Sequence, residues 1–343
     1  MTRRLALALL VLLVVLGGGA LIYRHEQRVR EAPQAGVLGQ PLIRGLTLAD
    51  VARLRIVAPN ETLTLARTGD QWTIAERGGF PADFGKLRGF LLKAIELKIG
   101  QSEPIGADDR ARLDLLDPGK GAGAGTLLEF LSADGKPLAQ LLVGKKYFKR
   151  APADPADALA DGRFVLLPGK PDVAYVVSDP LLQATAASSA WIDGTGVRVE
   201  KVKSLALRSA DGSRWRIERA GANAPWKLAG ARAGEKLEVT KANAASYSLS
   251  LLSLADVAPD SLGAEQAGFD KPSATIDANT LDGLDYRFTL GRLQGKDYYV
   301  RMSVAGAKVS ERDQQLARHT LLIDKSKFDD VLKKRAELLE KKK

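Results

Sequence analysis

The same order of sequence patterns occurs twice along this chain of 343 residues. Each copy opens with two alternating segments and a polar turn, followed by a segment led by Trp72 in the first copy and by Trp226 in the second. These tryptophans are 154 residues apart, and Pro118 and Pro272 keep the same spacing. Solenoid repeats have periods of about 20–50 residues, so units of this length predict two tandem domains.

An amphipathic helix follows the tryptophan in both copies. In the first copy Asp83 is the predicted N-cap, and in the second copy Thr240 takes that position. The predicted apolar faces have the three-four spacing of a helix: Phe84, Leu87, Leu91, Ala94, Ile95 and Lys98 in the first copy, and Ala244, Tyr247, Leu251 and Leu254 in the second.

Each copy then contains a hairpin and a further pair of strands. Asp134-Gly135 and Asp282-Gly283 are the turn signals, and the hairpins are predicted to close at Gly144 and Gly291. The predicted fold class is α+β, with an N-terminal transmembrane helix followed by two tandem, duplicated α+β domains whose sheets are mainly antiparallel.

Residues 5–23 form an apolar stretch without a charged side chain. At about 1.5 Å per residue, a helix of this length extends about 28 Å, close to the hydrocarbon thickness of a bilayer. Arginines flank both ends, which favours an uncleaved anchor. A signal peptide cleaved after Ala20 is the alternative. The short N-terminal tail favours export of the rest of the chain.

The formal net charge of +10 is concentrated at the two ends of the chain. Residues 1–30 and residues 333–343 each carry a net charge of +4, which leaves +2 for the body. This distribution favours a membrane flank and a basic tail over nucleic-acid binding. The predicted organisation is a cytoplasmic tail at 1–4, an anchor at 5–23, a linker at 24–46, repeat domains at 47–190 and 198–332, and a basic C-terminal tail at 333–343.

The sequence offers little for catalysis. It contains no cysteine, which excludes disulfides, thiol nucleophiles and thiolate zinc sites. The two histidines are His25 and His319, and no Gly-x-Ser-x-Gly elbow accompanies them. The glycine-rich run 119–125 lacks the order of a phosphate-binding loop. We therefore expect no enzyme activity, no cofactor and no metal site, although a carboxylate pair needs no sequence motif.

Cations and aromatic residues alternate after Gly144, which is a composition that contacts polyanions or lipid headgroups. The candidate anionic-surface contact consists of Lys145, Lys146, Tyr147, Lys149 and Arg150. The alternative interpretation is a strand start with a solvated rim. Trp72 and Trp226 hold equivalent positions, which favours packing in the core over a carbohydrate platform.

The C-terminal segment from Ser326 is predicted to start with a helix that docks on the second copy. Its apolar face consists of Phe328, Val331, Leu332 and Leu338 or Leu339. The basic residues beyond it are expected to fray into a tail, with an interfacial membrane helix as the alternative.

The combined pattern resembles the domain-of-unknown-function family 4340, in two copies over residues 47–330. The motifs that carry the resemblance are Leu115 to Pro118, Gly268 to Pro272, Leu290-Gly291 and Tyr298 to Arg301. The resemblance implies one N-terminal membrane helix, an exported body and an association with ABC transporters of the gliding-motility type. It implies no catalytic residue.

These observations lead to the expectation of a non-catalytic, membrane-anchored envelope protein. The resemblance implies an auxiliary role in an ABC-type transport or assembly system, with a membrane permease as partner and the bulk of the chain on the periplasmic side of a bacterial inner membrane. The alternative is a module that binds cell-wall or envelope polymer, and an uncharacterised hydrolase is a further alternative.

Overall fold

The computed structural model describes residues 36–154 and 158–340. The predicted tail at 1–4, the predicted anchor at 5–23 and the linker up to residue 35 lie outside the described residues. Within the described residues, no helix combines the length and the apolar character needed to cross a bilayer. The chain divides into two compact units, one within Met1–Arg67 and Phe84–Ala186, the other within Thr68–Asp83 and Ala187–Lys343.

The described residues form two sheets, and their strand pairs are antiparallel, as predicted. The strands of the first sheet are β1 (Arg53–Val57), β2 (Thr62–Thr68), β3 (Gln71–Ile74), β4 (Phe80–Pro81), β5 (Ile99–Pro104), β6 (Thr126–Leu131), β7 (Pro137–Tyr147), β8 (Gly162–Leu166) and β9 (Val173–Val177). The strands of the second sheet are β10 (Val202–Ser209), β11 (Arg214–Glu218), β12 (Lys227–Leu228), β13 (Asp256–Val257), β14 (Ala274–Thr280), β15 (Asp285–Gln294), β16 (Asp297–Ala305) and β17 (Leu321–Asp324).

Strict alternation of side chains explains why these segments form half-buried strands. In β11, Trp215 and Ile217 are buried while Arg214, Arg216 and Glu218 are exposed. Successive side chains of a strand point to opposite faces, so such a segment buries one face of the sheet and leaves the other in water.

Equivalent strands lie in the same order in the two sheets. The first sheet has the order β4-β3-β2-β1-β6-β7-β8-β9-β5, and the second has the order β12-β11-β10-β14-β15-β16-β17-β13. Apart from β4, every strand of the first sheet has a counterpart at the same place in the second. In each sheet the first strand pairs with the strand that follows it in the chain, β1 with β2 and β10 with β11. On its other side the first strand pairs with the first strand of the hairpin, β1 with β6 and β10 with β14.

Helices are few in the described residues: α1 (Phe84–Ile95), α2 (Ala107–Arg112), α3 (Val239–Tyr247) and α4 (Glu311–Leu316). Helix α1 begins directly after Asp83 and buries Leu87, Leu91 and Ala94, as predicted. Phe84 is 56% exposed instead, because it lies at the first position of the helix.

Helix α3 differs from its prediction in start and in face. It begins at Val239, with Glu238 rather than Thr240 at the N-cap position. It buries Ala242, Ala245 and Ser246, whereas Tyr247 is 72% exposed. The three-four pattern of large apolar residues is misleading here, because small side chains allow this helix to pack closely.

The C-terminal segment forms two short 3-10 turns, Lys325–Phe328 and Arg335–Leu338, instead of an α-helix. Phe328, Val331 and Leu338 are nevertheless fully buried. Residues 333–340 of the expected basic tail make specific contacts within their unit. The indole Nε1 of Trp215 donates to the carbonyl of Lys333 over 2.8 Å.

An ion pair fixes the second turn. Arg335 Nη2 lies 2.7 Å from the Glu235 carboxylate and 2.8 Å from the carbonyl of Gly230. The hydrogen bond from Arg335, together with one from the backbone of Arg232, lowers the pKa of Glu235 from 4.5 to about 2.

The Glu235 interaction predicts a pH dependence of stability. Because the pKa is depressed in the folded state, the ionised carboxylate contributes stability that is present above the unfolded pKa of 4.5 and is lost as the pH falls towards 2. We expect Glu235→Gln to flatten the decline of the unfolding free energy over this range, measured by urea titration at each pH. Glu265→Gln is the control for removal of a glutamate, and coincident profiles of Glu235→Gln and the native protein would contradict the expectation.

Candidate functional site

The predicted basic contact begins at the end of β7, where its first members are tied to neighbouring elements. The ammonium group of Lys145 donates to the carbonyl of Arg112 over 2.6 Å and lies 3.7 Å from the carboxylate of Asp114. The hydroxyl of Tyr147 accepts from Gln101 Nε2 over 2.9 Å. Lys145 and Tyr147 therefore serve the packing of this strand end.

The remaining members differ in exposure. Lys146 is half-buried on β7, and Lys149 and Arg150 are exposed beyond the strand. The backbone NH of Lys149 donates to the Asp161 carboxylate over 2.9 Å, which fixes the turn. The stretch is thus a strand end with three exposed cations, of which Lys145 is tied to neighbouring elements.

The repeated tryptophans and prolines occupy packing positions. Trp72 in β3 and Trp226 before β12 are 8% and 6% exposed. The indole Nε1 of Trp226 donates to Asn243 Oδ1 over 2.9 Å, which satisfies its polar atom inside the core. Pro118 and Pro272 are half-buried in the irregular segments that precede β6 and β14.

The repeated glycines do not end the hairpins as predicted, because β7 and β15 continue beyond them to Tyr147 and Gln294. Both lie where another segment of backbone approaches closely. A Cβ atom on Gly144 would lie 2.3 Å from the carbonyl oxygen of Leu113, and one on Gly291 would lie 2.1 Å from that of Ala267. The next residue in each strand donates a 2.9 Å hydrogen bond to the same carbonyl.

His319, considered above for a catalytic relay, lies against an aromatic ring. Its imidazole contacts Phe80 of the same compact unit edge-on, with 5.2 Å between the ring centroids. Burial lowers the pKa of His319, and the nearby Asp260 opposes that shift. No group of three or more His, Asp or Glu side chains in the described ranges has the arrangement of a metal site.

An open groove of about 930 Å³ lies in the second compact unit, at one end of the second sheet. Its floor crosses β12, β11, β10, β14 and β15, its first wall is the loop 219–226, and its second wall is the turn between β14 and β15. Gly283 forms that turn with a φ of +80°, which explains the Asp-Gly signal in the sequence.

The floor of the groove contains a chain of hydrogen bonds across three strands. Ser204, which is only 5% exposed, donates to Asn279 Oδ1 over 2.6 Å. The amide nitrogen of Asn279 in turn donates to the Asp285 carboxylate. These bonds orient the floor before any ligand binds, and they leave the outer oxygens of Asp285 accessible.

Four cations line the β11–β12 side of the groove. Arg219 donates to the carbonyls of Val202 and Ala222 over 2.7 and 2.8 Å and stacks on the Trp226 ring at 4.6 Å. Its position is therefore fixed. The other three are Lys203, Arg216 and Lys227.

These three cations have few competing partners. Arg216 lies 3.5 Å from the carboxylate of Glu218, and both side chains are about half exposed. In the described part of the chain, the ammonium groups of Lys203 and Lys227 make no ion pair. On this side the cations outnumber the one carboxylate, Glu218, which pairs in register with Lys227, and Asp285 lies on the other side.

Beside the groove, a carboxylate bridges cations across the outer face of the second sheet. Asp277 on β14 lies 2.9 Å from Arg208 on β10 and 2.6 Å from Arg287 on β15. The hydrogen bond to Asp277 raises the pKa of Arg287. At the equivalent place in the first sheet, Glu129 binds one cation, Arg55 at 2.7 Å, and accepts a hydrogen bond from Gln140 over 2.9 Å.

Most charged side chains of the groove lack a charged counterpart in the first sheet, although Arg219 corresponds to Arg67. Arg219 NH donates to the carbonyl of Lys203, and Arg67 NH donates to that of Ala52, over 2.9 Å in both sheets. Lys203 thus corresponds to Ala52. The same register gives two further uncharged counterparts: Arg216 corresponds to Thr64 and Asn279 to Leu131. Lys227 follows Trp226 as Thr73 follows the equivalent Trp72, so these two residues also correspond.

Sequence reasoning did not identify the groove residues. The alternation of β11 shows that Arg216 and Glu218 face water, which is the available local signal. The pairing of β10 with both β11 and β14, which brings Ser204 between Glu218 and Asn279, is a long-range property.

The fold consists of two antiparallel sheets, and the second sheet carries a polar groove. A family model described as domain of unknown function (DUF4340) matches residues 72–272, more than half of the chain, so the protein belongs to this family. The match is a single copy, and the tandem copies and the ABC transporter association stay predictions. No curated protein and no solved structure matches the chain.

Proposed function

We propose that the protein is a non-catalytic binding component of the bacterial envelope, built from two duplicated domains. The duplication is supported by the shared strand order of the sheets and by the equivalent close approaches at Gly144 and Gly291. The single observation that carries the binding role is the preorganised groove of the second sheet, where a buried hydrogen-bonded floor lies beside accessible cations.

The spacing of the groove carboxylates favours binding over hydrolysis. Glu218 and Asp285 lie on β11 and β15, which are separated by β10 and β14. Three strand spacings put their backbones about 14 Å apart. Glycoside hydrolases hold their two carboxyl groups about 5–10 Å apart, so this pair does not suit that chemistry.

The location and the partner are further parts of this proposal: the apolar stretch supports the location, and the family resemblance alone supports the partner. Residues 5–23 anchor the chain in the inner membrane, and the body lies on the periplasmic side. The family resemblance supports an auxiliary role in an ABC-type transport or assembly system, in which the anchor brings the body to a permease.

Purification of the full-length protein from native membranes tests this role. Mass spectrometry is expected to identify a permease and its ATPase, and both should be lost when residues 1–30 are replaced by a cleavable signal, because that change releases the body from the membrane. The same purification with Lys308→Thr, an exposed site outside the groove, is the control. Recovery of background proteins alone, before and after crosslinking, would contradict the role.

Binding of an envelope polymer is a second candidate function, and the groove favours it. Three of its cations, Lys203, Arg216 and Lys227, have uncharged equivalents in the first sheet, so their charges are dispensable for the fold that the two sheets share. Charged side chains that the fold does not need are typical of a binding surface.

A further inference from the structure

We propose that the groove at the end of the second sheet binds an oligosaccharide that carries carboxylate or phosphate groups. The inference rests on the polymer-binding candidate above and names its ligand. Lys227 and Asp285 lie four strand spacings apart, or about 19 Å. Together with a volume of about 930 Å³, this length suits several linked sugar units rather than a single inorganic anion.

The cations supply the anion subsite. Arg216 and Lys227 lie on neighbouring strands at the open side, and Lys203 lies at the irregular pairing between β10 and β14. Arg219 adds a positive charge whose side chain is already fixed by two carbonyls and the Trp226 ring. Charge-assisted hydrogen bonds to a carboxylate or phosphate are about twice as strong as neutral ones.

The other side of the groove supplies the subsite for hydroxyl groups. Asp285 accepts one hydrogen bond from Asn279 and has further lone pairs that face the groove. An ionised carboxylate accepts hydrogen bonds and donates none, so its partner must carry donors. Sugar hydroxyls provide such donors without adding negative charge.

Two other polyanions fit less well. The side chains of an acidic peptide offer only acceptors to Glu218 and Asp285, whereas each acidic sugar unit also carries hydroxyl donors for these carboxylates. Single-stranded nucleic acid is bound through aromatic side chains on which the bases stack. No aromatic residue is among the lining residues of the described groove, since the Trp226 ring is covered by Arg219.

Calorimetric titration of the full-length protein in detergent tests the inference. The probes are a five-unit galacturonate oligomer and a mannose oligomer carrying phosphomonoesters, and these two arms distinguish carboxylate from phosphate. We expect either to bind, and the affinity to fall between about 50 mM and about 300 mM salt. Neutral maltopentaose and pentaglutamate are the comparison ligands and should bind at least about tenfold more weakly.

Substitutions with the residues of the first sheet locate the site. Arg216→Thr with Lys227→Thr should weaken binding of the anionic probe at least about tenfold, and Asp285→Asn should weaken it about threefold. Lys308→Thr, a solvent-exposed control outside the groove, should leave the affinity unchanged. If circular dichroism shows that the double variant is misfolded, the single substitution Lys203→Ala is tested in its place.

Three outcomes would overturn the inference: equal affinity for maltopentaose, equal affinity for pentaglutamate, or no binding of either anionic probe. Insensitivity of binding to the groove variants would do the same. The membrane purification described above distinguishes this failure from failure of the auxiliary role. A groove variant that still recovers the permease and its ATPase leaves that role intact.

Discussion

Gly291→Ala is expected to lower the free energy of unfolding by about 2–4 kcal/mol. The added Cβ atom would lie 2.1 Å from the carbonyl oxygen of Ala267 and 3.2 Å from the Phe269 ring. Backbone atoms cannot yield as a flexible side chain does, so β15 must move away from the segment before β14. That movement also stretches the 2.9 Å hydrogen bond from Arg292 NH to Ala267. Chemical denaturation of the purified protein measures the change.

Gly221→Ala is the matched control in the same compact unit. No atom lies within 4 Å of its added Cβ, and its φ is not positive. We expect a change within about 0.5 kcal/mol. In the other unit, Gly144→Ala should match Gly291→Ala, because its Cβ would meet Leu113 at 2.3 Å. Equal effects of Gly291→Ala and Gly221→Ala would show that the close approach does not constrain the fold.

These glycines show what the local sequence pattern can predict and what it cannot. Their position near the end of each hairpin was predicted, and so was their equivalence, since both follow from alternation and turn signals. The close approach of another backbone segment to these glycines was not predicted, because a glycine next to a turn is also typical of a hairpin end. What requires Gly144 is the carbonyl of Leu113, which comes from a segment before the hairpin.

Helix α3 shows a second limit. Thr240 is a good N-cap residue and Tyr247 continues an apolar spacing, yet the helix starts two residues earlier than this cap predicts and exposes Tyr247. Burial of Ala242 and Ala245 depends on how closely the sheet approaches the helix. That distance is set by tertiary packing and leaves no periodic signal in the sequence.

The groove could be predicted only in its parts. Alternation identifies the outward residues of each strand, including Arg216 and Asp277. The neighbours of a strand depend on pairings between distant segments, such as β10 with β14. A site made by residues from five strands therefore appears only when the strand order is known.

Leu338→Ala is expected to lower the free energy of unfolding by about 2–4 kcal/mol, measured by chemical denaturation. The charge pattern of residues 333–343 predicts a solvated tail, in which this change would cost little. In the structure Leu338 is fully buried, and the turn that carries it is held by Arg335 against Glu235.

Leu293→Ala makes the same chemical change at a leucine that is 42% exposed, and it should cost less than about 1 kcal/mol. The difference between the two changes in unfolding free energy separates the effect of burial from the effect of losing a leucine side chain. Equal costs would mean that the last turn does not pack against its unit, and the charge pattern would then describe the segment correctly. A large difference would mean that the lysines and arginines around Leu338 are the exposed side of a docked segment.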